Sequence, residues 1–399
     1  MNYVNAVKYL SSLPRGVINI ERAHKICNEC HLPYRQLKVI HICGRDGKNS
    51  CHKMLSSIIQ KSGLSVGNFS PYHFGEIRES IAINDQTIPH GDFADLISRV
   101  ADAYSKYDDI LPSFEEALCL SAIIYFSERG CDIAILEKSV SKNDAANISE
   151  PPLITVLSSM ADADPGELSF SELFRRGTQE TVTCPQHKDI YAAISESCVN
   201  TGSRLTVPIY SEFEINKINL FNTFFTYRGV EYLIPSFAPC QTINAITVIE
   251  AANALIRLGV PITEEHIVKG LACSRLPNKC EAISLSPAII VSNSASVDRL
   301  DSLVAAIAQI KPLIEGDIKL VINEDHSIET EKLTSTFRSS DIFFSSITKL
   351  PSNMTTARLA RSAKNLLSTL TPNSALIVLG SDDFVNELCV FLKKELNNI

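Results

Sequence analysis

The sequence predicts an α/β protein with two domains. Its 399 residues are more than a single hydrophobic core usually serves. Apolar runs of strand length alternate with helical segments, the pattern of a parallel sheet covered by helices on both faces. Near residue 279 the alternation starts again, so we expect one domain at 1–278 and a second at 279–399.

A strand, a glycine loop and a helix are predicted early in the chain. The apolar run 37–44, "LKVIHICG", ends in glycine, and 50–63, "SCHKMLSSIIQKSG", has apolar residues at helical spacing. Residues 113–130 predict an amphipathic helix that Gly130 ends. The run 131–137, "CDIAILE", then predicts a buried strand whose last residue is a carboxylate.

The middle of the chain is less regular, and the end returns to α/β alternation. β-like runs occupy 204–210 and 223–234, and a long helix is predicted over 242–259. The Pro-Asn turn within 274–281 suits a domain boundary. Strands and helices beyond it predict a small open α/β domain of common size.

Composition and charge narrow the class of partner. The chain is 45% hydrophobic and 21% charged, as in ordinary globular proteins. Its net charge of −8 does not favour binding to nucleic acid or to an anionic membrane. No apolar stretch of 18 residues and no secretory signal pattern occurs, so a cytoplasmic protein is expected. The 12 cysteines are scattered, and the C-x-x-C of Cys27 and Cys30 is expected to be a pair of reduced thiols.

Two groups of residues have the chemistry of a phosphate site. Gly44-x-x-Gly47-Lys48-x-Ser50 offers flexible backbone, a cation and a hydroxyl at the start of a predicted helix. The spacing differs from G-x-x-x-x-G-K-[ST], so the motif alone leaves a glycine turn with a surface lysine as the alternative. Glu137 ends a buried strand, a place where a carboxylate is unusual, which favours a functional role over a satisfied edge residue.

Seven segments follow the order and approximate spacing of one known family. They are "MNYVNAVKYLSSLP", "LKVIHICGRDGKNSCHKMLSSIIQKSGLSVGNFSP", "IRESIAIND", "FEEALCLSAIIYFSERGCDIAILE", "FTYRG", "CQTINAI" and "ITEEHIVKGLACSRLPNKCE". Over nearly its whole length the chain resembles folylpolyglutamate synthases, members of the Mur ligase superfamily. The resemblance implies an N-terminal P-loop-type parallel-sheet ATPase domain and a smaller C-terminal Rossmann-like domain.

The resemblance also implies a reaction and its cofactors. Such ADP-forming ligases transfer the ATP γ-phosphate to a carboxylate, and an amine then attacks the acyl phosphate to give an amide. In the family the carboxylate belongs to a reduced folate and the amine to glutamate. ATP and Mg²⁺ are therefore the expected cofactors. We expect a monomer whose partners are nucleotide, glutamate and a folate-like or other carboxylate substrate.

Site residues follow by matching the family's motifs to this sequence. The implied nucleotide-binding residues are Gly44, Gly47, Lys48, Ser50, Asn244 and Lys279, and the implied metal ligands are Ser50, Glu137 and Asp164. In the loop, Lys48 takes the phosphate lysine and Ser50 the Mg²⁺ hydroxyl of G-T-N-G-K-G-S. Asp164 falls near the histidine of S-I-G-x-D-H, and Lys279 takes the arginine of P-G-R.

Departures from the family's motifs support a second hypothesis. Arg45-Asp46 replaces a Thr-Asn pair, and Asn49 replaces a glycine. Phe170 takes the place of a lysine that the family carboxylates, and residues 292–296 replace D-G-A-H-N. The alternative to a ligase is therefore a catalytically silent relative that binds nucleotide, a folate-like ligand or a partner protein. No catalytic residue is assigned from the sequence.

Overall fold

The computed structural model describes residues 1–16, 18–35, 37–71, 75–107, 111–140, 144–160, 175–293, 300–323, 329–351 and 354–396. They form two compact units, the first from Met1–Ser211 with Ile243–Cys273 and the second from Glu212–Thr242 with Ser274–Ile399. The domain boundary expected between residues 278 and 279 stays a prediction. Asp164, Phe170 and residues 294–296 lie outside the described residues.

The first unit is built on a sheet of eight described strands in the order β4-β3-β2-β5-β1-β6-β7-β8. These strands are β1 Val39–Cys43, β2 Val66–Phe69, β3 Ile81–Ile83, β4 Gln86–Thr87, β5 Ile133–Glu137, β6 Ile154–Leu157, β7 Glu180–Thr183 and β8 Arg204–Thr206. The six strands in the sheet order β2-β5-β1-β6-β7-β8 pair in parallel with their neighbours. β3 and β4 form an antiparallel edge beside β2. The predicted α/β fold class is confirmed.

Helices surround this sheet. They are α1 Tyr3–Ser12, α2 Ile20–Glu29, α3 Lys48–Lys61, α4 His90–Tyr104, α5 Phe114–Glu128, α6 Lys188–Thr201, α7 Pro239–Arg257 and α8 Glu264–Cys273. The first residues of α7 belong to the second unit. Of the helices in the part of the chain that the structure describes, none is long and apolar enough to span a membrane.

Helix α5 differs from its prediction as an amphipathic helix. Every residue from Glu116 to Phe126 is buried, so the helix packs on all sides and not on one face. Its N-terminus is fixed by a capping box, in which Ser113 accepts from the Glu116 N–H and the Glu116 carboxylate accepts from the Ser113 N–H. That carboxylate also pairs with Arg22 at 3.1 Å, which satisfies a fully buried charge.

The second unit has two sheets. β9 Phe213–Ile218, β10 Thr223–Tyr227 and β11 Val230–Ile234 form an antiparallel sheet. The larger sheet has the order β12-β13-β16-β14-β15 and contains β12 Glu281–Leu285, β13 Ala288–Ser292, β14 Ile318–Asn323, β15 Phe344–Leu350 and β16 Ala375–Leu379. Its helices are α9 Leu300–Ile310, α10 Thr330–Arg338, α11 Thr356–Ser368 and α12 Asp382–Leu396. Four of the five strands are parallel, so the Rossmann-like α/β character expected of this region is confirmed.

A buried histidine lies in the central strand of the first unit. His41, in β1, is fully buried, and its Nε2 atom lies 3.2 Å from the Ser149 hydroxyl. The Nδ1 atom is buried and, among the residues described, has no hydrogen-bond partner. Burial, together with the positive charges of Lys138 and Arg175, holds the pKa of His41 well below its usual range. The ring is therefore neutral in the folded protein.

We expect this histidine to make the first unit less stable in acid. In the unfolded chain His41 regains its ordinary pKa near 6.5 and takes up a proton, whereas the folded ring resists protonation. Stability is therefore lost as pH falls below about 6.5, by at most about 1.4 kcal/mol per pH unit from this one group. Urea unfolding of the wild type and of His41→Asn at pH 7.5 and 5.5 measures the difference. Equal losses of unfolding free energy in the two proteins would contradict the assignment.

Candidate nucleotide-binding site

The candidate site starts where β1, a central strand of the eight-stranded sheet in the first unit, ends. All five residues of β1 are buried, and the strand pairs on one side with β5 and on the other with β6. Four residues, 44–47, lead from β1 into α3, which begins at Lys48. The first N–H groups of a helix have no intrahelical acceptor and carry a positive partial charge. A strand, loop and helix in this order therefore place a potential anion site at the sheet's edge.

Two glycines let neighbouring side chains approach the loop closely. Gly44 has a φ of +133°, and a Cβ atom there would lie 2.2 Å from the Ser158 hydroxyl oxygen. At Gly47, with a φ of +87°, a Cβ atom would lie 2.5 Å from Asn244 Oδ1. Both positions need glycine for backbone conformation and for space. The structure thus brings predicted residue Asn244, in α7, against the predicted loop.

The loop is also bonded to the strand beside it. The Arg45 and Asp46 N–H groups both donate to the Ser159 carbonyl, at 2.9 and 3.0 Å. The Lys48 ammonium donates to the Gly44 carbonyl at 2.8 Å and so folds back over the loop. Two amides of the loop are therefore engaged within the protein. The first turn of α3 and the lysine are the groups placed to meet an anion.

Oxygen atoms suited to a hard cation lie on α3 and β5. Ser50 is in the first turn of α3 and is 4% exposed, and Glu137 ends β5 opposite Ile42 of β1. One Glu137 oxygen, Oε1, lies 2.9 Å from His52 Nδ1, whereas the buried Oε2 atom has no hydrogen-bond partner among the residues that the structure describes. An unpartnered buried carboxylate oxygen is costly unless a ligand completes it. Hydroxyl and carboxylate oxygens fit Mg²⁺, so this donor set suits the expected cation.

The protein alone supplies few ligands for such a cation. Within the ranges that the structure describes, no group of three His, Cys, Asp or Glu side chains is arranged to hold a metal ion. Mg²⁺ is commonly held by one or two protein oxygens together with substrate phosphates and water. One hydroxyl on α3 and one carboxylate on β5 are therefore the kinds of donor that a cation arriving with a nucleotide would need.

The other predicted site residues lie elsewhere or are not described. Lys279 belongs to the second unit, in the turn before β12, and its ammonium donates to Asn293 Oδ1 at 2.9 Å. Asp164 lies outside the described residues. The assignment of both residues to the site stays a prediction.

Two cysteines beside the loop are neutral thiols. Burial raises the pKa of Cys43 to about 12, and burial also raises that of Cys51 above its usual range. A nucleophilic cysteine requires a thiolate, which these environments disfavour. Neither residue is therefore a candidate nucleophile.

Sequence analysis did not find three groups that the structure places at the site. His52 contacts Glu137, Asn68 contacts His52, and the Ser158-Ser159 segment holds the loop. His52 lies one helical turn after Lys48, which is a weak signal. Asn68 and the serines are far from the loop in sequence, and only the pairing of strands brings them near it.

Comparison with known proteins agrees with the motif resemblance. The folylpolyglutamate synthase of Lacticaseibacillus casei is 25% identical over 366 residues, which cover 84% of each chain. A putative folylpolyglutamate synthase of Dictyostelium discoideum is 29% identical over 143 residues, or 35% of this chain and 23% of that protein. No family model matches the sequence.

Solved structures share the fold over the whole chain. The Lactobacillus casei folylpolyglutamate synthetase superposes with a TM-score of 0.80 at 22% identity, covering 99% of this chain and 100% of that one. The Thermotoga maritima folylpolyglutamate synthase gives 0.77 at 21% identity, covering 98% and 97%. This chain therefore has the fold of these two folylpolyglutamate synthases. In sequence it is also similar to folylpolyglutamate synthases.

Proposed function

We propose that the chain is an ADP-forming, ATP-dependent amide ligase of the folylpolyglutamate synthase type. The observation that carries the proposal is the loop from Gly44 to Ser50, which joins the central strand to the N-terminus of α3 beside the buried Glu137. Such a site is built for phosphate and a hard cation. A relative that matches 84% of this chain is a folylpolyglutamate synthase, and a solved neighbour is a complex of such a synthase with AMPPCP.

In this function the loop binds the nucleotide phosphates. The first-turn N–H groups of α3 and the Lys48 ammonium stabilise negative charge on the β- and γ-phosphates. Gly44 and Gly47 hold the backbone shape, and Asn244 lies against Gly47. The chain's contribution is to position the γ-phosphate for transfer to a carboxylate. An amine then attacks the acyl phosphate, and phosphate leaves.

Ser50 and Glu137 are the residues that would hold Mg²⁺. When bound, the cation neutralises charge on the phosphates that are being transferred. Ser50 provides its hydroxyl, and Glu137 provides Oε2, which has no partner in the described part of the chain. Asp164 is the proposed third ligand of the same cation.

A folate-like carboxylate and glutamate are the proposed substrates. The argument comes from the relatives: a relative that matches most of the chain is a folylpolyglutamate synthase, and another solved neighbour is a complex with AMPPCP and folate. Lys279, in the second unit, is a proposed nucleotide contact. We further propose a monomer located in the cytoplasm.

A non-catalytic relative that binds nucleotide is the second candidate. The observation that favours it is the loop itself, because the Arg45 and Asp46 amides are bonded to Ser159 and not available to a phosphate. Phe170 and residues 292–296, which differ from the family's motifs, support the same reading.

An assay of ADP release separates the two candidates. The purified protein is incubated with Mg-ATP, glutamate and a reduced folate, and ADP and the glutamylated folate are measured together. A ligase produces both in equal amounts, and omission of the folate stops both. Tight Mg-ATP binding without product favours the non-catalytic relative. Absence of nucleotide binding would refute both.

A further inference from the structure

His52 connects three elements of the first unit around the candidate cation site. It lies on α3, two residues after Ser50, and is 7% exposed. Its Nδ1 atom is 2.9 Å from Glu137 Oε1 at the end of β5, and its Nε2 atom is 2.9 Å from Asn68 Oδ1 in β2. Both ring nitrogens are therefore engaged, so the ring orientation is fixed.

The orientation of Asn68 determines which way the hydrogen bonds run. Its side-chain amide nitrogen lies 2.7 Å from the Asn84 carbonyl and 3.4 Å from the Val66 carbonyl, so the NH₂ group faces two acceptors. The Oδ1 atom then faces His52 and accepts from Nε2–H. His52 Nε2 is consequently a donor, and Nδ1 is the atom left for Glu137.

One proton must lie between His52 Nδ1 and Glu137 Oε1. Two acceptors cannot remain 2.9 Å apart in a buried site without repulsion. The hydrogen bond therefore joins a carboxylate to an N–H or a carboxyl group to a ring nitrogen, and in both forms Oε1 is occupied. The other oxygen, Oε2, is buried and has no hydrogen-bond partner within the described ranges. The two oxygens of one carboxylate are thus given different environments.

We propose that His52 is a positioning residue that holds Glu137 by its Oε1 atom and leaves Oε2 as the single oxygen offered to a divalent cation. This inference rests on the proposed function for the cation that Glu137 would meet. Groups that orient a metal-binding carboxylate without touching the metal commonly govern affinity. A carboxylate fixed through one oxygen binds in one geometry and loses little freedom when the cation arrives.

Two substitutions divide the contacts of His52. His52→Asn keeps a hydrogen-bond donor near the position of Nδ1 and loses the contact with Asn68. His52→Gln keeps a hydrogen-bond donor near the position of Nε2 and loses the contact with Glu137. If His52 acts on Glu137, His52→Gln impairs cation binding and His52→Asn rescues it. If the ring only ties α3 to β2 and β5, the two substitutions have similar effects.

The measurement is calorimetric titration with AMPPCP, with Mg²⁺ and then with EDTA in its place. The ratio of the two affinities reports the cation's contribution. We expect His52→Gln to lower that ratio about 10- to 100-fold and His52→Asn to keep it within about threefold of wild type. Affinity for AMPPCP in EDTA should be the same in all three proteins. Glu137→Gln provides the reference for a lost carboxylate, and melting temperatures establish that each variant is folded.

Each outcome decides a separate point. Equal ratios in the two His52 variants, whether unchanged or equally reduced, would overturn the positioning role and leave the proposed function standing. A wild-type protein that binds AMPPCP equally well with Mg²⁺ and with EDTA would refute the cation site and this inference with it. A wild-type protein that does not bind AMPPCP at all would refute the proposed function as well. The wild-type values thus test the function, and the variants test His52.

Discussion

Lys48→Ala should abolish nucleotide binding and leave the fold intact. The Lys48 ammonium is held over the loop by its bond to the Gly44 carbonyl, so it is already placed where phosphate would bind. Its removal deletes a charge-assisted contact from the site, and we expect affinity for Mg-ATP to fall by about 100-fold or more. Alanine is a good helix former, so the first turn of α3 is preserved. Calorimetric titration with Mg-ATP measures the loss.

Lys53→Ala is the matched control for this experiment. Lys53 lies on the same helix, is partly exposed and pairs with Asp85. The Lys53→Ala substitution removes one positive charge, as Lys48→Ala does, but at a site away from the loop. A surface ion pair contributes little to stability, so the fold should be unaffected. Affinity should therefore stay at the wild-type value. Unchanged affinity in Lys48→Ala, or equal losses in both variants, would remove the phosphate-loop assignment.

The elements that carry the site were predicted from local patterns. The run 37–44 became β1, Val39–Cys43, and "CDIAILE" became β5, Ile133–Glu137. Strands buried on both faces are continuous apolar runs, and this signal is contained in a few neighbouring residues. The glycines of the loop are also a local signal in the sequence, because a sharp turn with a left-handed φ favours glycine.

Other features depend on contacts between distant segments, which a single sequence does not display. The bonds from Arg45 and Asp46 to Ser159 require β6 to lie beside β1. The contact of His52 with Glu137 requires both α3 and β5 to be in place. The sequence of helix α5, taken without its neighbours in the fold, predicts one buried face. Its burial on all sides follows from elements that pack against it.

Resemblance to the family located residues but could not assign their contacts. It pointed to Asn244, and the structure adds that a side chain at Gly47 would collide with it. It pointed to Glu137, and the structure adds that one oxygen contacts His52 while the other has no hydrogen-bond partner in the part of the chain that is described. The site's chemistry depends on such details, because one fold serves many functions.

Gly44→Ala should destabilise the first unit and disable the loop together. A methyl group at this position would lie 2.2 Å from the Ser158 hydroxyl oxygen and 3.0 Å from the Ser158 carbonyl oxygen, which belongs to backbone. The φ of +133° is also unfavourable for alanine. Overpacking and backbone strain together are expected to lower the free energy of unfolding by about 3 kcal/mol. The loop must shift to relieve the collision, so nucleotide affinity should fall too.

Gly63→Ala separates the two causes. Gly63, after the end of α3, also has a positive φ, of +85°, but nothing lies within 4 Å of the added methyl group. It therefore tests backbone strain alone, and we expect a loss of about 1 kcal/mol with unchanged nucleotide affinity. Urea unfolding and titration with Mg-ATP are measured for both variants. If Gly44→Ala cost no more than Gly63→Ala and bound nucleotide normally, Ser158 would not constrain the loop, and the close approach that shapes the candidate site would have no functional role.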